Sequence, residues 1–62
     1  MLFCRFFEMD KSGHILGVQT EECGDEDEVH LAASRMLSTG NGQVHGIEAW
    51  FGARKIAFVT RE

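Results

Sequence analysis

Apolar and polar positions fall into a strand-like pattern at each end of the chain and a helical one between them. Residues 2–9, Leu2-Phe3-Cys4-Arg5-Phe6-Phe7-Glu8-Met9, are dense in aromatics and stop at Asp10-Lys11-Ser12-Gly13, a strand running into a turn. Asp at the start and Gly at the end predict a type I turn closed by a left-handed glycine. That is a three-residue hairpin loop with a bulge, feeding a second strand over about 14–20. Pairing Asp10 with His14 sets Phe6 opposite Val18 and Cys4 opposite Thr20.

The middle of the chain changes period. Val29, Ala32, Ala33, Met36 and Leu37 fall at i, i+3, i+4, i+7 and i+8, one stripe of a helix. Asp25 followed three residues later by Glu28 is a capping-box spacing, and the acidic first turn suits the positive end of the helix dipole. Gly40 ends the helix and Asn41-Gly42 continues as a loop. Strand pattern returns over Val44–Phe51 and Lys55–Thr60, with Gly52-Ala53 between them as a two-residue turn with glycine first. That register pairs Ala49 with Ile56, Ile47 with Phe58, Trp50 with Lys55, Glu48 with Ala57 and Gly46 with Val59.

Hairpin, helix, hairpin makes an α+β domain of ββαββ order spanning residues 1–62. Right-handed crossover of the helix, with the third strand pairing the first, gives a four-stranded antiparallel sheet of order 2-1-3-4. The helix then covers Leu2, Cys4, Phe6, Leu16, Val18, Ile47, Ala49, Phe51, Ile56 and Phe58. One helix covers only one face of such a sheet. The other face is left with Phe3, Phe7, Met9, Ile15, Val44, Trp50, Ala57 and Val59, and with Arg5, Gln19, Glu48 and Lys55 among them. On this face Arg5 is expected to pair with Glu48, and Lys55 to lie on the Trp50 ring.

An apolar patch of that size on a small domain marks an interaction surface. The expected interface is Phe3, Arg5, Phe7, Met9, Ile15, Glu48, Trp50, Lys55 and Val59, stacked on a second copy in a homodimer or docked on another protein. Rings beside cations also describe a platform for single-stranded nucleic acid, the alternative reading. It would use Phe3, Phe7 and Trp50, with Arg5, Arg54, Lys55 and Arg61.

Charge argues against that alternative. Ten Asp and Glu against six Lys and Arg give a formal net charge of −4, the wrong sign for phosphate neutralisation. Six of the ten acids crowd into Glu21, Glu22, Asp25, Glu26, Asp27 and Glu28. Composition is globular: 44% hydrophobic, 26% charged and no proline in 62 residues. No apolar run approaches the roughly 18 residues of a membrane span. The opening residues lack the basic start and long apolar stretch of a signal peptide. With only Cys4 and Cys23, reduced thiols and a cytoplasmic setting are expected. Cys4 reads as a small core residue and Cys23 as a loop thiol ahead of the helix. His45 is expected to point inward beside Thr60.

Chemistry-bearing motifs are not found. His14, His30, His45, Cys4 and Cys23 show no CxxC, HxxH or HExxH spacing, so no metal and no cofactor are expected. No Ser or Cys has a motif that sets a base beside it. Gly40-Asn41-Gly42 follows a helix, whereas phosphate loops precede one. A non-enzymatic protein is the expectation.

Two motifs carry a resemblance. The turn Asp10-Lys11-Ser12-Gly13-His14-Ile15 and the hairpin Glu48-Ala49-Trp50-Phe51-Gly52-Ala53-Arg54-Lys55-Ile56, on either side of an acidic-capped helix, resemble a group of short, uncharacterised bacterial proteins. In those, an Asp-x-x-Gly-His-Ile turn follows an aromatic strand, and a Glu-x-Trp-x-Gly-x-Arg-aliphatic hairpin closes the chain. This sequence departs in placing Lys55 between Arg54 and the aliphatic Ile56. The resemblance spans most of the chain and implies the ββαββ fold and a bacterial origin, with no activity attached.

Overall fold

Each hairpin is closed by a specific turn. In the computed structural model, which describes residues 1–61, Asp10 organises the first one. Its Oδ1 accepts from the backbone N–H groups of Ser12 and His14, both at 2.9 Å, and its carbonyl accepts from Gly13 N at 3.0 Å. Gly13 takes a φ of +89°, the left-handed conformation the loop requires. Strand β1 (Leu2–Met9) enters this turn and β2 (Ile15–Cys23) leaves it. In the second hairpin, β3 (Gly46–Phe51) and β4 (Arg54–Thr60) are joined by Gly52-Ala53, with φ of +60° at Gly52 alone. That is the requirement of a type II′ turn. The strands form one antiparallel sheet in the order β2-β1-β3-β4, as expected.

Helix α1 (Glu26–Thr39) starts at its acidic cap. Asp25 accepts from Glu28 N at 2.9 Å, and Glu28 reaches back to Gly24 N at 2.6 Å, one residue ahead of the usual capping-box donor. Val29, Ala32, Ala33, Met36 and Leu37 are its buried face, the stripe expected from sequence. No basic residue lies in the last turn. Arg61, from the end of the chain, does that work instead, donating to the carbonyls of Leu37 (2.5 Å) and Val44 (3.2 Å). Ion pairs tie α1 to both outer strands, Arg35–Glu21 at 2.7 Å and Arg54–Glu26 at 2.8 Å. Both are exposed and contribute little energy.

The register differs from expectation in both hairpins, for one reason. Met9 faces Ile15 but Glu8 faces Gly17, so Leu16 is an extra residue on β2. Trp50 faces Lys55 but Ala49 faces Ala57, so Ile56 is an extra residue on β4. Such a bulge sends every later side chain of its strand to the opposite face. Phe6 therefore faces Gln19 rather than Val18, and Cys4 faces Glu21 rather than Thr20. Ile47 faces Val59, Glu48 faces Phe58 and Gly46 faces Thr60.

The core changes accordingly. Cys4, Phe6, Cys23, Ile47, Ala49 and Ala57 are buried under α1, together with Val44 from the loop before β3, and Leu2, Ile56 and Val59 pack at its margin. Leu16, Val18, Phe51 and Phe58, expected inside, are exposed. Val44, Ala57 and Val59, expected on the open face, belong to the helix side. Cys23 ends β2 and is buried rather than lying in a loop. Because α1 packs mainly on β3 and β4, most of β2 has no cover on either side.

Candidate functional site

The register sets the helix-free face in rows that cross the sheet from β2 to β4. One row is Thr20, Arg5, Trp50, Lys55; the next is Val18, Phe7, Glu48, Phe58; beyond it lies Ile15, Met9, Gly46, Thr60. Glu22 and Phe3 extend the face at the opposite end. Of the residues expected here from sequence, Phe3, Arg5, Phe7, Met9, Ile15, Glu48, Trp50 and Lys55 are brought together. Val59 is not, since it sits opposite Ile47 against the core. Two residues were missed: Val18 and Phe58, delivered to this face by the two bulges, are 54% and 53% exposed. Ile15 is 62% and Phe3 57% exposed, while Phe7, Met9 and Trp50 are half-buried.

The polar groups of the face are organised, though not in the expected pairs. Arg5 lies opposite Trp50 rather than Glu48. Its Nη2 donates to Gly52 O at 2.8 Å, and its guanidinium stacks over the Phe7 ring at 5.7 Å. Glu48 accepts from Trp50 Nε1 at 2.9 Å and stands 3.8 Å from Lys55 Nζ. The Lys55 ammonium lies over Phe58, 5.5 Å from the ring centre, rather than over Trp50. A methyl group on Gly46 would come within 3.2 Å of the Phe58 ring and 3.1 Å of Val59 O, so the glycine makes the seat in which that ring lies. The effect is a preorganised surface: aromatic rings held by neighbouring cations, and one carboxylate held by an indole N–H and an ammonium.

Elsewhere the chemistry is sparse. An open groove of about 500 Å³ between α1 and β4 is lined by Ser34, Leu37, Ser38, Val59, Thr60 and Arg61. Its one cation is already bonded to the Leu37 and Val44 carbonyls. Cys4 and Cys23 are free, and burial pushes both thiols up, with Cys4 itself a lesser cause at Cys23. That opposes thiolate formation and nucleophilic use. His45 makes two backbone bonds, to Met9 O and from Arg61 N, so it lies beside Arg61, while Thr60 pairs with Gly46. Among the described residues no three His, Cys, Asp or Glu side chains are grouped to hold a metal ion. No helix there is long and apolar enough to cross a membrane. No family model, curated protein or solved structure gives a significant match to the chain.

Proposed function

We propose that this chain is a small non-enzymatic protein-interaction module that homodimerises through the helix-free face of its sheet, in a cytoplasmic setting. The observation that carries the reading is the cluster of Phe3, Phe7, Val18, Trp50 and Phe58 on a face that no element among the described residues covers. Patches of this kind on soluble domains are interaction sites. Charge supports a second copy as partner. Arg5 and Lys55 balance Glu22 and Glu48 on this face, so the formal charge of −4 resides elsewhere and two copies repel through their backs rather than their sheets. Size supports it too: the molecule measures 30 × 20 × 16 Å. A face bounded by the two longer dimensions spans about 600 Å² in projection, some three-quarters of the ~800 Å² per partner of a standard interface.

The sheet edges support a face-to-face mode over strand addition. Each outer strand carries a bulge and charged residues, Glu21 and Glu22 on β2, Arg54 and Lys55 on β4, devices that disfavour edge pairing. The buried, unpaired thiols are in keeping with a reducing compartment. Light scattering after size exclusion, run over a range of concentrations, tests the reading. The expected mass is twice the 7.0 kDa of the chain, falling to the single value in Phe58→Glu. A single-chain mass at every concentration removes homodimerisation. Rings beside Arg5 and Lys55 are also the observation behind the nucleic-acid alternative. Oligonucleotide affinity that falls steeply with salt would favour it over the dimer.

A further inference from the structure

We infer that the two copies stack about a two-fold axis running parallel to the strands, between β1 and β3, so that Val18 of each copy meets the partner's Phe58 and Arg5 meets the partner's Trp50. This rests on the dimer reading above and adds to it how the two sheets meet. An axis in that position keeps each row of the face on its own level and exchanges β1 with β3 and β2 with β4. Within the central row Val18 then lies on the partner's Phe58 at both flanks, and Phe7 lies on the partner's Glu48. The Glu48 carboxylate is already drawn aside by Trp50 Nε1 and Lys55, which leaves its methylenes over the ring. In the next row Arg5 lies on the partner's Trp50, a cation on the most favourable of the aromatic faces, and Thr20 lies on the partner's Lys55. The two Glu48 residues, and the two Arg5 residues, lie one strand spacing apart across the axis rather than face to face, and the sheets pack with strands aligned.

An axis running across the strands does worse. Passing through the central row, it sets Glu48 on the partner's Glu48, two carboxylates in a drying interface. Moved half a row toward Arg5, it sets Val18 on Thr20, Phe58 on Lys55 and Ile15 on Glu22 of the other copy. Moved the other way, it sets Val18 on Ile15 and Phe7 on Met9 but puts Phe58 on Thr60 and leaves the row of Arg5, Trp50 and Lys55 beyond the partner's last paired row. Only the strand-parallel axis buries Val18 and Phe58 against each other. Both are well exposed in the single chain.

Cysteine scanning with a short bis-maleimide tests this arrangement, using a linker of about 10 Å to match the spacing of stacked sheets. Val18 and Phe58 stand on opposite outer strands, three strand spacings or ~14 Å apart within one chain, beyond that linker. Combined Val18→Cys and Phe58→Cys is expected to give a covalent dimer, with little product from either single change or from the unaltered chain, whose Cys4 and Cys23 are buried. A covalent dimer from Phe58→Cys alone puts the axis across the strands and overturns the inference. So does the absence of cross-linking in a chain that light scattering finds dimeric, and in both cases the dimer stands. A single-chain mass for the unaltered protein overturns the dimer itself.

Discussion

The two faces of this sheet are both apolar, yet they are built from different material. Under α1 the sheet offers Cys4, Ala49, Ala57 and Cys23, with Phe6 as its one buried aromatic ring, and the helix answers with Ala32 and Ala33. Small side chains on both sides let helix and sheet approach closely, and dispersion contacts then accumulate over a short distance. The opposite face carries Phe3, Phe7, Trp50 and Phe58, four of the six aromatic residues in the chain. A chain this small buries only about 60% of the surface its unfolded form exposes, and placing most of its large rings outside leaves still less core. Most of the aromatic bulk of the chain is thus kept out of the fold's core. Small groups packed around Phe6, Ile47, Val29, Met36 and Leu37 hold the monomer together, and most of the aromatic side chains remain available for contact with something else.

The largest break in this comparison comes from cutting one ring on each side. Phe6→Ala removes a fully buried side chain from a core with few large members, at a cost of about 3–5 kcal/mol. A 62-residue domain has roughly 3–9 kcal/mol in total, so urea denaturation should find about half or more of the stability lost in this variant, with its midpoint moved sharply down. Phe58→Ala, measured at high dilution, should stay within about 0.5 kcal/mol of the parent, as surface changes do. Equal losses at the two positions would mean that the open face contributes to the monomer after all.

A second pair of variants tests the bulge in β4. Ala57 is buried against α1 and Phe58 is outside. Ala57→Asp should therefore cost about 3 kcal/mol or more by burying an unpaired charge, while Phe58→Asp should leave the denaturation midpoint of the monomer nearly unmoved. The register without a bulge demands the reverse order.

Those two bulges are also where sequence reasoning fell short. Capping by Asp25, the stripe from Val29 to Leu37, the Asp10 turn and the strand order were all legible, because each rests on a strong local rule with few competitors. β4 reads Lys55-Ile56-Ala57-Phe58-Val59, apolar at four successive positions, so alternation does not say which pair points inward. β2 begins Ile15-Leu16 with the same ambiguity. Residue size held the missing signal: α1 carries two alanines, and only a sheet surface with small side chains such as Ala49 and Ala57 lets it come close. The extra residue of β4 is Ile56, between Lys55 opposite Trp50 and Ala57 opposite Ala49. The candidate surface was legible for its two inner strands, which contain no extra residue of their own, and on the outer strands only up to each bulge, at Ile15 and Lys55. Past the bulges Val18 and Phe58 were missed and Val59 was misplaced.

A smaller effect separates α1 from the strands it covers. Arg61 donates a side-chain hydrogen bond to the last-turn carbonyl of Leu37, and it holds the Val44 carbonyl as well. Arg61→Ala should cost about 1–2 kcal/mol, from two charge-assisted hydrogen bonds at the negative end of the helix dipole, discounted for exposure. Hydrogen exchange should rise in the last turn of α1 and at Val44 before it rises in the first hairpin. Uniform loss of protection would show that Arg61 acts on the whole domain and not on this helix end.

The smallest expected effect belongs to the first turn, where Asp10 carries a carboxyl lowered below its ordinary value. The backbone N–H of His14 is the chief cause, and the Ser12 N–H and the His14 ring, 3.5 Å away, add to it. A carboxylate lowered on folding stabilises the native state above the unfolded value of about 3.9, and that contribution disappears as pH falls through the folded value. Asp10→Asn keeps an oxygen acceptor for both backbone donors but carries no charge. Its melting temperature should therefore lie slightly below the parent's near pH 6, and the gap should close as pH is lowered past 4. A gap that stays constant down to pH 2 would show that the turn depends on the geometry of its acceptor alone. The charge on Asp10 would then contribute nothing to the hairpin that positions Phe7 and Val18 on the open face.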